Sequence, residues 1–165
     1  MDFARLFKHL MIPGWWARRA FCAADREAIH EAIAASERLH RGELCLVVEG
    51  PMPLTVSLRG TPARGRAEQL FSRFGVGGTR EASGILIYVQ LVDRRVEILA
   101  DRGIAGRVEQ AEWDRICRAM EASFAQGAWR RGVLEAIDRA TRLLSLHFPA
   151  RRDNPNELDD RPRIL

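Results

Sequence analysis

Three acidic and two hydroxyl residues in this chain are spaced so that they could form one cation site. Glu43 precedes a continuous apolar run, Asp101 follows an alternating one, and Glu81 lies in the loop between these runs. The same loop contains Thr79 and Ser83. Carboxylate and hydroxyl oxygens are hard donors that suit Ca²⁺ or Mg²⁺, and a divalent cation held there could activate water or clamp a phosphate. These five residues are therefore the candidate metal ligands.

A purely structural role for the same carboxylates is also compatible with the sequence. Glu43 and Asp101 stand at the ends of predicted strands, and Arg80 and Arg102 lie close to the acidic positions along the chain. In this interpretation the acids cap the strand ends and form ordinary salt bridges with those arginines. Both interpretations stay open, and no catalytic residue is identified.

The other motifs do not indicate a nucleotide loop, a nucleophile or a zinc site. The glycine-rich segment 75–78 precedes a predicted strand, whereas a dinucleotide-binding loop follows a strand and opens a helix. None of the three cysteines is followed six residues later by the arginine that a cysteine-type phosphatase needs. The four histidines show no zinc-binding spacing. An oxygen-donor site is thus the only chemistry that the sequence suggests.

Hydrophobic periodicity predicts the elements that position the acidic residues. The apolar runs at 44–48 and 85–89 are typical of strands covered on both faces, and residues 96–100 alternate after a tight turn at Asp93-Arg94. A helix predicted from Thr61-Pro62 to Phe74 separates the first two strands, and a right-handed crossover would make them parallel. Glu43, the loop 75–83 and Asp101 then share one edge of the sheet. Ligands of open α/β sheets ordinarily bind beyond the opposite edge, where the carboxyl ends of the strands lie.

The sequence therefore predicts an α/β fold with a small mixed β-sheet, a parallel βαβ crossover, a β-hairpin and helices on both faces. Further helices are predicted at 25–40 and, as a pair, after the third strand, and a short strand is predicted at 54–58. The expected organisation is an N-terminal amphipathic helix and connector at 1–20, an α/β domain at 21–148, and a polar tail at 149–165 that is extended or mobile.

The first eleven residues place an apolar stripe opposite a basic face. Arg5, Lys8 and His9 oppose the stripe, and Pro13-Gly14 ends the helix. Three roles are open: contact with an anionic membrane, contact with a partner helix, or packing on the chain's own domain. The candidate residues for membrane or partner contact are Phe3, Leu6, Phe7, Leu10, Trp15 and Trp16.

Charge and composition argue against nucleic acid as a partner. The net charge of the 165 residues is +4, but the arginines alternate with acids along the predicted helices, which is typical of a solvated surface of mixed charge. Three features predict a cytoplasmic protein: the number of cysteines is odd, no run of about 20 apolar residues occurs, and no secretory signal is evident. Peripheral contact at the inner membrane is an option.

Several segments, taken in order, resemble the TPM domain family. They are residues 34–37 leading into 41–44, then 67–71, 83–88, 96–104, Trp113 and 127–133, so that the resemblance covers about residues 21–148. It implies a small mixed sheet between helices and a ligand region at the acidic positions named above. It also implies either acid phosphatase activity or Ca²⁺ binding, or the modulation of membrane proteins without catalysis.

Two departures from the family pattern bear on these implications. Many relatives carry an asparagine and an aspartate where this loop has Ser83 and Thr79, so one charged ligand is lost. Many relatives also carry a signal peptide and a C-terminal transmembrane helix, neither of which is evident here, and the chain resembles a short bacterial branch of the family.

We expect a binding or modulatory module that acts at or near a membrane surface or on a membrane protein. The alternative is a weak divalent-metal-dependent phosphatase acting on phosphomonoesters, and the oligomeric state is left open.

Overall fold

A computed structural model describes residues 3–151 and 156–165 of the chain. The strands are β1 (Glu43–Glu49), β2 (Gly84–Gln90), β3 (Arg95–Ala100) and β4 (Arg163–Ile164). The helices are α1 (Phe3–Met11), α2 (Trp15–Ala20), α3 (Ala23–Glu37), α4 (Leu54–Leu58), α5 (Ala63–Arg73), α6 (Arg102–Ala105), α7 (Gln110–Ala125) and α8 (Trp129–His147). A single 3₁₀ turn, Val76–Gly78, follows α5.

The strands form one sheet in the order β3-β2-β1-β4. β1 and β2 are parallel, with Glu43 opposite Gly84 and Glu49 opposite Gln90, while β2 and β3 are antiparallel. The predicted fold class, with its parallel crossover and its hairpin, is therefore confirmed. At the amino ends of β1 and β2, the backbone N–H of Glu43 donates to Ser83 and that of Asp101 donates to Gly84, at 3.1 and 2.9 Å. These two acidic residues consequently stand at the same edge of the sheet.

Two apolar cores cover the two faces of the sheet. Successive side chains of a strand point to opposite faces, so the continuous apolar runs of β1 and β2 supply both cores. Helices α3, α7 and α8 pack on the face that carries Leu44, Leu46 and Ile87. Helix α5 packs on the other face, against Val47 and Leu86. The central strands are thus buried on both sides.

Two predicted elements differ from the structure. Residues 54–58 form helix α4 and not a strand, because Pro53 caps a turn in which its carbonyl accepts the N–H groups of Val56 and Ser57 at 2.9 and 3.0 Å. Helix α3 ends at Glu37 and not near residue 40, because His40 instead pairs with Pro149 in an isolated antiparallel bridge.

The end of the polar tail adds a strand that the sequence did not predict. β4 pairs in parallel with β1, placing Arg163 opposite Val47 and Ile164 opposite Val48, and the N–H of Leu165 donates to the Val48 carbonyl at 2.9 Å. Residues 152–155 of the predicted tail and residues 1–2 of the predicted N-terminal helix lie outside the described residues. In the described ranges, no helix has the length and apolar character needed to cross a bilayer.

Candidate functional site

The loop before β2 and the ends of β1 and β3 place the five predicted ligands along one edge of the sheet, which we call the acidic edge (Glu43, Thr79, Glu81, Ser83 and Asp101). Gly84 opens β2 at this edge because a side chain would not fit there. A Cβ on Gly84 would lie 1.9 Å from the carbonyl oxygen of Val76. The 3₁₀ turn and the loop are therefore pressed against the sheet, which brings Thr79 and Ser83 close to the start of β1.

Three of the predicted ligand side chains at the acidic edge, Glu43, Thr79 and Ser83, form hydrogen bonds within the protein. Oε2 of Glu43 accepts the backbone N–H of Leu158 at 3.0 Å, and the Glu43 residue is only 4% exposed. Oγ1 of Thr79 accepts the N–H of Ser83 at 2.9 Å, and Oγ of Ser83 donates to the carbonyl of Arg41 at 2.9 Å. Burial raises the pKa of Glu43 above its usual range, although the Leu158 N–H opposes this shift. The C-terminal tail thus covers one predicted ligand.

The two remaining acids face different partners. Glu81 forms an ion pair with Arg41 and lies 3.5 Å from the Arg151 guanidinium. Asp101 caps α6, because its Oδ1 accepts the N–H of Arg102 at 2.7 Å. Its Oδ2 is buried and has no hydrogen-bond partner within the described part of the chain.

These contacts decide how well the acidic edge fits a divalent cation. Residues 3–151 and 156–165 contain no group of three histidine, cysteine, aspartate or glutamate side chains arranged to hold a metal ion. Each of the five predicted ligands has at least one oxygen held by an arginine, a backbone N–H or a backbone carbonyl. Oδ2 of Asp101 is a buried oxygen of this set that has no hydrogen-bond partner among the described residues. The predicted ligands, with the exception of Oδ2 of Asp101, are therefore engaged by other groups of the protein, and no catalytic step through a metal ion follows from this arrangement.

A buried carboxyl that the sequence did not single out lies beside the acidic edge. Oε1 of Glu37, at the end of α3, accepts the N–H of Leu44 at 3.1 Å. The pKa of Glu37 is raised to about 9, chiefly by burial; the Leu44 N–H opposes the shift, and the nearby acids Glu43 and Asp160 add to it. The Glu37 carboxyl is therefore protonated at neutral pH. Its position in an amphipathic helix gave no signal, because an acid at the end of a helix is ordinarily solvated.

A second polar cluster lies at the carboxyl ends of β1 and β2. The Arg66 guanidinium of α5 contacts the Glu49 carboxylate through three N···O distances of 2.6, 3.1 and 3.2 Å, and the Tyr88 hydroxyl donates to Glu49 at 2.6 Å. Gln90 donates to the Tyr88 oxygen at 3.3 Å. Burial, with Glu49 adding to it, raises the pKa of Tyr88. The cluster is closed and internally satisfied, as expected for a structural network.

Helix α1 is attached to the domain by its basic face. Arg5 donates to both carboxylate oxygens of Asp93, at 2.7 Å from Nη2 and 2.9 and 3.1 Å from Nε, and Nε2 of His9 lies 3.1 Å from the same carboxylate. Nδ1 of His9 accepts the N–H of Met52 at 3.0 Å. Burial by itself would raise the pKa of Asp93, but Arg5 and then His9 lower it below its usual range. We call this ion-pair contact the α1 latch (Arg5, His9 and Asp93).

The α1 latch leaves most of the predicted apolar stripe facing outward. Phe3, Phe7 and Leu10 are 74%, 62% and 59% exposed, and Leu6 is partly buried. Helix α4 packs beside α1, and the two following tryptophans differ, because Trp15 is exposed whereas Trp16 packs against the core beside Trp129. The resulting surface, which we call the apolar patch, consists of Phe3, Phe7, Leu10, Met11, Trp15, Leu54 and Leu58.

Comparison with known proteins agrees with this architecture. The family model described as TPM domain matches residues 18–143 of the chain. The solved structure of BA42 protein from the psychrophilic bacterium Bizionia argentinensis is similar at 27% sequence identity and a TM-score of 0.76, over 87% of this chain and 94% of that one. The N-terminal domain of a P. gingivalis protein has a similar fold at 18% identity and a TM-score of 0.62, over 88% and 97% of the two chains. No curated protein sequence matches. With the family model spanning most of its length, the chain belongs to the TPM domain family.

Proposed function

We propose that this TPM domain is a binding module that attaches to an anionic membrane surface through the apolar patch. The observation that carries the proposal is the orientation of α1. An amphipathic helix on a soluble domain normally buries its apolar face and exposes its polar face. Here Arg5 and His9 bind the domain, and Phe3, Phe7 and Leu10 face outward.

The chemistry of the apolar patch suits the boundary between lipid headgroups and acyl chains. Phenylalanine, leucine and tryptophan are the side chains that interfacial helices insert, and burying each contributes roughly 1–2 kcal/mol from a half-exposed state. Lys8 on α1 and Arg18 and Arg19 on α2 are exposed, and each basic residue near an anionic surface contributes about 1 kcal/mol. Together these terms support reversible peripheral attachment.

The α1 latch also reduces the cost of attachment. A free amphipathic segment loses conformational entropy when it becomes helical on the membrane. Helix α1 is already helical and is held by four side-chain contacts from Arg5 and His9 to Asp93, so the apolar patch is organised before it meets lipid.

Vesicle flotation of the full-length chain tests the proposal. We expect flotation with vesicles that contain phosphatidylserine, and loss of flotation in the double variant Phe7→Ser/Leu10→Ser. The matched control is Leu146→Ser, which removes a leucine that is 72% exposed on α8, outside the apolar patch. Equal flotation of the wild-type chain and the double variant, or no flotation of the wild-type chain with any anionic vesicle, would refute the proposal.

The basic residues allow a second comparison in the same assay. Changing Lys8 and Arg18 to glutamine is expected to lower the affinity for anionic vesicles about tenfold or more at low salt. The loss should be smaller at high salt, because exposed charges are screened over about 10 Å at 0.1 M salt. A loss of flotation that does not depend on salt would contradict an electrostatic contribution.

A second candidate function is weak divalent-metal-dependent hydrolysis of phosphomonoesters at the acidic edge. One observation favours it: Oδ2 of Asp101 is buried and has no hydrogen-bond partner among the described residues. The test is hydrolysis of para-nitrophenyl phosphate with Mg²⁺ or Ca²⁺, together with calorimetric titration of each ion. Activity that Asp101→Asn abolishes would support this function. Activity that survives the substitution would indicate a contaminant, and a chain with neither activity nor heat of binding would eliminate it.

A further inference from the structure

A cavity with a volume of about 220 Å³ lies at the carboxyl end of β2, whereas the acidic edge lies at the amino end of this strand. Its aromatic lining comes from Trp16 of α2, Phe124 of α7 and Trp129 at the start of α8. Arg94 of the β2–β3 turn and Glu121 of α7 also line it. Open α/β sheets place their ligand sites beyond the carboxyl ends of the strands, and this cavity lies there.

The aromatic side chains form walls in two orientations. The rings of Trp16 and Trp129 are nearly perpendicular, at 83° with centroids 6.4 Å apart. Phe124 stacks on Trp129, with ring centroids 4.8 Å apart at an interplanar angle of 33°, and holds this second wall in place. The face of an aromatic ring is negative and attracts a cation, most strongly for tryptophan. The walls offer apolar surface to methyl groups and a favourable potential to a positive charge.

Two opposite charges line the same cavity without neutralising each other. Oε1 of Glu121 accepts the N–H of Val96 at 3.0 Å, which orients the carboxylate. Among the described residues, neither Glu121 nor Arg94 takes part in a salt bridge within 4.0 Å, with each other or with a third side chain. Arg94 has φ of 53°, a left-handed conformation that non-glycine residues rarely adopt and that is found more often at functional sites.

From this geometry we propose that the cavity binds a small zwitterion whose ammonium group is methylated, such as phosphocholine or a betaine. The methylated ammonium contacts the Trp16 and Trp129 walls and the Glu121 carboxylate, while the phosphate or carboxylate of the ligand pairs with Arg94. An anion alone would be repelled by Glu121, and a cation alone by Arg94. Methyl groups suit this position because the aromatic side chains offer them apolar surface, which the N–H groups of an unmethylated ammonium would not use.

The size of the cavity agrees with such a ligand. An apolar cavity of about 150 Å³ holds benzene, whereas drug-sized ligands occupy about 300–1,000 Å³. The cavity of about 220 Å³ therefore fits a headgroup-sized molecule, and not a drug-sized one. The inference does not depend on membrane attachment, because neither Arg94 nor Glu121 belongs to the apolar patch.

Calorimetric titration of the full-length chain with phosphocholine tests this site. We expect a single saturable binding event. The carbon isostere 3,3-dimethylbutyl phosphate keeps the shape and the phosphate but replaces the trimethylammonium group by an uncharged tert-butyl group, and it is expected to bind about three- to thirtyfold more weakly. Glu121→Gln and Arg94→Gly are expected to weaken phosphocholine binding to a similar extent. Glutamine keeps the acceptor for Val96, and glycine suits the φ of residue 94.

Two control variants are titrated with phosphocholine in the same way. Glu135→Gln and Arg142→Gln remove exposed charges on α8 outside the cavity and are expected to bind like the wild-type chain. Equal affinity for phosphocholine and its carbon isostere would refute cation recognition. Wild-type affinity in both Glu121→Gln and Arg94→Gly, or no saturable heat with phosphocholine and glycine betaine, would refute the site. If phosphocholine binds, flotation with phosphatidylcholine vesicles distinguishes a lipid headgroup from a free zwitterion as its source.

Discussion

Replacing Arg66 by methionine removes the guanidinium that faces the buried carboxylate of Glu49. Methionine keeps much of the length and apolar volume of the arginine stem, so the change is mainly electrostatic. Glu49 is 1% exposed and Arg66 is 7% exposed, which means that water cannot replace the lost contacts. Within residues 3–151 and 156–165, only the Tyr88 hydroxyl, at 2.6 Å, would still donate to the Glu49 carboxylate.

The expected cost follows from this burial. Removing one partner of a buried ion pair destabilises a protein by about 3–5 kcal/mol, because an uncompensated charge remains in the interior. For a chain of this length, each kcal/mol lowers the Tm by about 2–4 °C, so we expect the Tm of Arg66→Met to fall by roughly 6–20 °C. Removing both charges, in Glu49→Met/Arg66→Met, should restore much of the loss, since apolar pairs of similar volume often replace a buried ion pair at little cost.

Thermal and urea unfolding of the four chains in this cycle measure the coupling between the two residues. The matched control is Arg142→Met, which breaks a surface ion pair with Asp138. The side chains of Arg142 and Asp138 are 77% and 58% exposed. We expect the control to lose less than about 0.5 kcal/mol. Two results would contradict a stabilising buried network. One is an Arg66→Met chain that is no less stable than the control. The other is a double variant whose loss of unfolding free energy exceeds the sum of the losses in the two single variants.

Three further predictions concern other parts of the chain. The pKa of Glu37 is raised to about 9, mainly by burial, so its contribution to stability is present below pH 4.5 and is lost as the pH rises through 9. Glu37→Gln should therefore gain stability over the wild-type chain between pH 5 and 9, as measured by urea unfolding. Gly84→Ala should lose about 3 kcal/mol or more in the same assay, because its Cβ would lie 1.9 Å from the Val76 oxygen. Asp93→Ala should release α1 from the domain, so that a lysine-specific protease cleaves faster at the already exposed Lys8, the only lysine in the sequence.

Each of these predictions has its own control. A stability difference for Glu37→Gln that does not change with pH would contradict a raised pKa in the folded state. Gly78→Ala, where an added Cβ meets no atom within 4 Å, should change stability far less than Gly84→Ala. Asp138→Ala removes an exposed carboxylate on α8 and should leave cleavage at Lys8 unchanged. Equal cleavage of Asp93→Ala and the wild-type chain would show that Asp93 does not hold α1.

Local patterns were sufficient for the three longer strands, for the longer helices and for the direction of the two central strands. The apolar runs at 44–48 and 85–89 require cover on both faces, and that requirement, with a helix between them, leads to a parallel crossover. The same reasoning placed Glu43 and Asp101 at one edge. The segment 54–58 was predicted wrongly, because five residues are too few to distinguish the period of a strand from that of a helix.

The partners of individual polar side chains were decided only by tertiary structure. Glu43 accepts from Leu158, which lies 115 residues further along the chain, and Arg5 pairs with Asp93 across 88 residues. Periodicity reports which face of a helix is apolar, but the face that docks depends on what the rest of the fold presents. Asp93 presents a carboxylate to α1, so the basic face docks and the apolar stripe remains exposed, in the reverse of what amphipathicity alone predicts.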